Sequence, residues 1–297
     1  MSNVTRPFGR TLAAMITPFT PSGELDVHGA AELARHLIDE QGLDGLVLNG
    51  TTGESPTTTG AEKAQLIETV VEAVGDRAHI IAGASTNDTR ESVRLAQEAE
   101  KCGAQGLLLV TPYYSRPPQE GIEAHFSAIA GAVDLPCMLY DIPPRSSVPI
   151  TESSYLRLAE NPRIIAVKDA TADLSAAQRV RVATGLTFYC GVDALNLAAY
   201  ATGQVGVVSV IAHLVGKEIN AMFDAFDEGD VARASEINDA LLPALRALQG
   251  PAQGVTAVKA ALAQRGLPGG EPRLPLPAAS SVIADFIAEN LASIKEV

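Results

Sequence analysis

HIIAGASTNDTRESVRLAQEAEKCGAQGLLLV, residues 79–110, holds one full period of the pattern that organises this chain. His79–Gly83 and Gly106–Val110 are short apolar runs. They are continuous rather than alternating, as parallel strands buried on both faces are. Between them Asp88 and Glu91 have the spacing that opens a helix, and Gly103 stands where a left-handed residue closes one. Further runs lie at Leu12–Thr17, Gly45–Asn49, Cys137–Asp141, Ile164–Lys168, Thr187–Gly191 and Gly206–Val210. Helix signals separate them. In His28–Gln41, residues Ala30, Leu33, Ala34, Leu37 and Ile38 share one stripe. Thr59 and Glu62 read as a capping box ahead of Leu66, Val70 and Val74. Gly42 and Gly75 are read, like Gly103, as left-handed helix ends. Eight strand–helix units predict an α/β chain folded as a (β/α)8 TIM barrel. An open doubly wound sheet shows the same alternation, but eight units with no G-x-G-x-x-G after the first strand favour closure.

A barrel takes about 225–250 residues, and the chain has 297. The catalytic barrel is assigned to residues 1–228. Beyond Gly229 there is no strand signal. Val231–Gln249, Ala252–Gln264 and Ala278–Ser293 are apolar-periodic, and Gly250–Gly254 and Leu267–Pro277 read as their connectors. They predict a C-terminal helical region over 229–297.

Composition removes several function classes. A formal charge of −13 argues against nucleic acid and against an anionic membrane surface. No apolar run approaches the ~20 residues that span a bilayer, and Met1–Arg10 lacks a signal-peptide core. Cys102, Cys137 and Cys190 form no C-x-x-C and are expected to be buried, reduced thiols of a cytoplasmic protein. The five histidines show no ligand spacing, so no metal is expected. No serine lies in a G-x-S-x-G turn.

In a barrel, reactive groups project from the C-terminal strand ends. Of six lysines, only Lys168 ends a β-branched apolar strand. Burial there favours the free amine over the ammonium, and a free amine attacks carbonyl carbon. A structural ion pair with Asp169 is the equal alternative. Lys259, within the apolar Val255–Leu262 segment, is read as an ordinary snorkelling lysine. Tyr140 ends the neighbouring strand, about 4.8 Å away, close enough to pass protons to an amine or simply to fill the core. The Gly50–Ser55 turn carries no phosphate-loop lysine. Its Thr51 and Thr52 can cradle a carboxylate, or the turn can be merely tight and polar. Arg145 suits bidentate carboxylate capture or is solvated. Tyr113 and Tyr114 project ahead of Pro117-Pro118, lining a site or meeting another subunit.

Taken together these residues resemble the dihydrodipicolinate synthase (4-hydroxy-tetrahydrodipicolinate synthase) family, within the pyruvate-dependent class I aldolase and N-acetylneuraminate lyase superfamily. The resemblance runs from Ala14-Met15-Ile16-Thr17-Pro18-Phe19 to Arg273-Leu274-Pro275. Its most specific parts are Gly50–Ser55, Val110–Tyr114, Tyr140–Ser146 and Val167–Ala170. Ser55–Thr59 and Asp193–Leu197 look most like the actinobacterial branch. The resemblance implies a lyase that condenses pyruvate with L-aspartate-4-semialdehyde in lysine and diaminopimelate biosynthesis. It implies no cofactor beyond a covalent imine at Lys168. Tyr140 would carry protons, linked through Thr51 to Tyr114 reaching in from a neighbouring subunit. Thr52, Val208 and Gly191 would frame the pyruvate, and Arg145 would hold the semialdehyde carboxylate. Ser55, Asn87, Glu91 and Tyr113 match a regulatory cleft. A homotetramer, built as a dimer of dimers, is implied.

Some positions depart from the family pattern. Val192 precedes Asp193 where two acidic residues are common, Asp141 replaces an asparagine, and Pro144 replaces Gly or Ser. Gly60 and Lys63 stand where lysine-inhibited members have histidines, so weak or absent lysine feedback is expected. The competing readings are a pyruvate-dependent aldolase or dehydratase acting on a sugar acid, and a catalytically silent keto-acid-binding barrel. Arg145 argues against the first, and only Val192 favours the second.

Overall fold

The computed structural model describes residues 5–250, 252 and 254–294. Pro251 and Gln253, in the expected 250–254 connector, lie outside the described residues.

Eight parallel strands close into a barrel in sequence order. They are β1 (Thr11–Ala14), β2 (Gly45–Leu48), β3 (His79–Gly83), β4 (Gly106–Val110), β5 (Cys137–Asp141), β6 (Ile164–Asp169), β7 (Thr187–Cys190) and β8 (Gly206–Ser209). Closure is made by β1 against β8, with Leu12 opposite Val208. The expected strands are all present, within a few residues at their ends. Side chains alternate across each strand, so two apolar layers form. Leu12, Val47, Ile81, Leu108, Met138 and Ala166 fill the barrel interior. Leu46, Ile80, Leu107, Leu139 and Val167 face outward to the helices.

The helices between strands begin with α1 (Val27–Arg35), α2 (Gly60–Val74), α3 (Thr89–Lys101) and α4 (Gln119–Ala130). The short α5 (Pro143–Ser146) and α6 (Glu152–Leu158) follow β5, and α7 (Leu174–Thr184), α8 (Asn196–Ala201) and α9 (Ala212–Asp227) complete the ring. The Thr59–Glu62 capping box of α2 is formed in both directions. At α3 only half the device forms: Asp88 caps the Arg90 and Glu91 amides, while Glu91 pairs with Arg94 instead. Gly42 and Gly103 are left-handed. Gly75 is not, with φ −67°. A Cβ there would lie 2.6 Å from the Val71 carbonyl, so close packing against the last turn, not handedness, calls for glycine. The His28–Gln41 pattern also changes pitch. Its final turn, His36–Glu40, is a π-turn, in which the Gln41 amide donates to the His36 carbonyl.

Four helices follow: α10 (Val231–Ala240), α11 (Leu242–Gln249), α12 (Gly254–Gln264) and α13 (Ser281–Leu291). The expected single segment Val231–Gln249 is therefore two helices. Pro243 sits in the first turn of α11, where its missing N–H costs nothing, but it would break a helix that ran through. Helices α11, α12 and α13 pack on one another. They are tied to the C-terminal end of the barrel by Asp193, which accepts from the Val210 and Ile211 amides and from Gln249 Nε2 (2.7 Å). The network questioned because of Val192 is thus carried by Asp193 alone.

Candidate active site

On paired strands β5 and β6, Tyr140 lies opposite Lys168 and Asp141 opposite Asp169. Alternation turns the first pair into the barrel and the second toward the helices. Lys168 and Tyr140 are both buried, at 5% exposure, and Lys168 Nζ sits 4.3 Å from the Tyr140 ring centroid. Asp169 instead accepts from the Thr171 amide and hydroxyl and from Gln204. No Lys168–Asp169 ion pair occurs among the described residues, so that alternative fails on geometry. Gly191 makes room for the lysine stem: a Cβ there would lie 3.1 Å from Lys168 Cε and 3.2 Å from Cγ.

Lys168 opens into a cavity of about 660 Å³ that also holds Thr51, Thr52, Tyr140, Arg145 and Gly191. Helices α11 and α12 close its other side through Gln249 and Val255. A second cavity of about 450 Å³ holds Ser55, Tyr113 and Tyr114. Thr51, Tyr140 and Arg145 line both, so these three stand at the seam between the lysine and the projecting tyrosines. Tyr114 is 90% exposed with φ +71°, and it lines the second cavity but not the one that holds Lys168. Val208 is buried in the barrel interior and does not line the Lys168 cavity, whereas Val210 does. Ser55, Asn87, Glu91 and Tyr113 do not gather in one chain. Ser55 and Tyr113 share the second cavity, Asn87 is exposed, and Glu91 lines a separate hollow with Arg90 and Arg94. Lys63 is buried, and its ammonium donates to Ser55 O (2.8 Å), Thr58 O (2.5 Å) and Thr58 Oγ1 (2.8 Å). Burial pushes it down to about 8.

The outward face of the same strands carries a stressed carboxyl. Asp141 is 1% exposed. Its Oδ2 accepts from the Ile150 amide and the Tyr155 hydroxyl, while Oδ1 has no hydrogen-bond partner among the described residues. Burial pushes Asp141 up to about 7, against its two donors and with some help from Asp169. The folded state then holds a proton that the unfolded chain releases near pH 4. Stability from this group is present at low pH and declines as pH rises towards 7. Asp141→Asn keeps both accepted hydrogen bonds and removes the charge. It is expected to stabilise the protein by roughly 2–4 kcal/mol at pH 8 and by little at pH 4. Melting curves across that range test this, and a difference independent of pH contradicts it.

One pair was missed by the sequence reading. Lys259 does not snorkel: its Nζ lies 2.6 Å from Glu54 Oε1, and both side chains are 1% exposed. Burial lowers Lys259 to about 8 against the pull of Glu54. The available signal was a lysine in the middle of an apolar helix, which needs a counter-charge if its stem cannot reach water.

Known proteins are similar to this chain over nearly its whole length. The profile of the Dihydrodipicolinate synthetase family matches residues 7–292. A Streptomyces coelicolor protein, 4-hydroxy-tetrahydrodipicolinate synthase 2, is 57% identical over 91% of this chain and 90% of its own. The crystal structure of a Bacillus anthracis dihydrodipicolinate synthase superposes with a TM-score of 0.95 at 38% identity, covering 98% of this chain and 100% of that one. A chloride-inhibited dihydrodipicolinate synthase from Acinetobacter baumannii, solved with pyruvate, superposes at 0.91 with 32% identity, over 97% and 99% of the two chains. With the match running through the barrel, the C-terminal helices and the strand ends that hold Lys168 and Tyr140, the chain belongs to the dihydrodipicolinate synthetase family.

Proposed function

We propose that this chain condenses pyruvate with L-aspartate-4-semialdehyde to give 4-hydroxy-tetrahydrodipicolinate, through an imine at Lys168. The observation that carries the reading is a buried lysine at a barrel strand end, facing a tyrosine, in a cavity with two threonines and an arginine. Pyruvate bound to a relative of the same fold supports the choice of keto acid.

The chemistry follows from the groups present. The side-chain nitrogen of Lys168 adds to the pyruvate ketone, and loss of water leaves an imine. The imine carbon draws electrons, so the methyl group gives up a proton and becomes an enamine carbon. That carbon attacks the aldehyde, whose oxygen takes a proton and becomes the hydroxyl. The amino group of the semialdehyde part then attacks the imine carbon, closing the ring and releasing Lys168. Tyr140 carries the protons, and Thr51, which lines the same two cavities, links it to a neighbour's Tyr114. Thr52 receives the pyruvate carboxylate, and Arg145 the carboxylate of the semialdehyde. No other electron sink is required, so no cofactor enters. Two anionic substrates entering a chain of charge −13 need local positive charge, which Arg145 supplies. The outward-facing Tyr114 fits a homo-oligomer, read as a tetramer of two tight dimers in the cytoplasm.

Borohydride reduction in the presence of pyruvate tests the reading. It should fix one pyruvate-derived adduct per chain, mapped to Lys168 by mass spectrometry, and subsequent addition of semialdehyde to the unreduced enzyme should yield product. Absence of any adduct means a silent barrel. An adduct with turnover of a sugar acid but not of the semialdehyde means the aldolase reading.

A further inference from the structure

The turn that carries Thr51 and Thr52 is fixed from behind. Glu54 has φ +57°, a left-handed conformation that is costly for a non-glycine residue. This places its carboxylate under the turn. There Oε1 lies 2.6 Å from Lys259 Nζ of α12, and Oε2 accepts from the Arg273 amide (2.8 Å). Lys259 Nζ donates to the Glu271 carbonyl (3.2 Å). The Lys259 ammonium and the Arg273 guanidinium each lie 4.1 Å from the Phe19 ring centroid. Arg273 continues to the Thr57 and Gly23 carbonyls and to the Glu62 carboxylate. On the barrel side, Thr17 Oγ1 donates to the Gly53 carbonyl (2.6 Å). The Glu54 amide donates to Thr51 O and the Ser55 amide to Gly50 O. A displacement of Glu54 is therefore passed directly to Thr51 and Thr52.

We propose that Glu54 and Lys259 are a positioning pair, locking the Gly50–Ser55 turn to the C-terminal helices so that the Thr51 hydroxyl and the Thr52 subsite are held against Lys168. This rests on the reading of the Lys168 cavity as the keto-acid site. The C-terminal region then does more than cover the barrel: α12 sets substrate affinity through one ion contact. A buried ion pair contributes little net stability compared with an apolar pair of similar volume, but leaving one member alone is strongly destabilising. Stability and positioning can therefore be separated by mutation.

Three variants test the pair: Lys259→Met, Glu54→Gln, and Glu54→Gln combined with Lys259→Met. Lys259→Met leaves the buried Glu54 carboxylate without its counter-ion, with the Arg273 amide still donating to it, and should melt well below wild type. The double variant should recover most of that loss. If the pair positions the turn, KM for pyruvate in the double variant rises about tenfold or more while its melting temperature stays near wild type. The same rise should appear in the pyruvate concentration dependence of borohydride trapping, with full adduct formation at saturation. KM for pyruvate within twofold of wild type in the double variant overturns the proposal. So does a KM change that simply tracks the melting temperature across the three proteins. Failure of trapping in the wild-type enzyme, by contrast, strikes the reading of Lys168 and not the pair.

Discussion

Lys168→Ala is expected to lower turnover by roughly four orders of magnitude or more, and to abolish the borohydride-trapped pyruvate adduct altogether. Among the described residues no second lysine lines the cavity that holds Lys168. Lys63 donates to three oxygens beneath the 55–58 turn, and Lys259 is paired with Glu54. Neither lines the cavity that holds Lys168. The substitution should leave the fold intact. It removes a buried side chain that makes no ion pair among the described residues and enlarges a cavity already present. Circular dichroism and melting should therefore stay near wild type while activity disappears. Wild-type turnover in this variant, or an adduct mapped to any other lysine, removes the central assignment.

How much of this was legible in the sequence depends on the range of the interaction that fixes each feature. The strands were readable because each is a local run of apolar residues buried on both faces. Lys168 was readable for the same reason: a lone cation ending such a run stands out. Its register with Tyr140 followed from neighbouring strands of nearly equal length. Helix caps were fully readable at Thr59 and Glu62, and half readable where a competitor intervened: Asp88 caps its helix, but Arg94 draws Glu91 away. Gly75 was misread because a glycine needed for close approach looks the same in sequence as one needed for left-handedness. The break before α11 was visible in Pro243 but was overridden by the apolar period around it. The Glu54–Lys259 pair was not legible, because nothing local says which buried charge will find which partner some two hundred residues away. The expected grouping of Ser55, Asn87, Glu91 and Tyr113 is not met within one chain, where Ser55 and Tyr113 share a cavity and Glu91 lines another.

Tyr140→Phe separates chemistry from packing at the position where both readings were open. Phenylalanine keeps the ring against which Lys168 rests at 4.3 Å and the volume that a residue at 5% exposure fills. Only the hydroxyl is lost. If the ring were merely a core aromatic, activity would hardly change. If the hydroxyl carries protons to the carbinolamine, the enamine and the new alkoxide, kcat should fall about 10²–10⁴-fold, the usual range for a positioned acid–base group. KM for pyruvate should move far less, since Thr52, proposed to receive the carboxylate, and the amine are untouched. The trapped adduct should still reach one equivalent, but more slowly, because water can deliver the proton that the phenol no longer supplies. That combination, slow imine formation with full final occupancy and a preserved melting temperature, distinguishes a lost proton carrier from a damaged site. An adduct that forms at wild-type rate with wild-type kcat would return Tyr140 to the core and leave Lys168 without its proton donor on this chain.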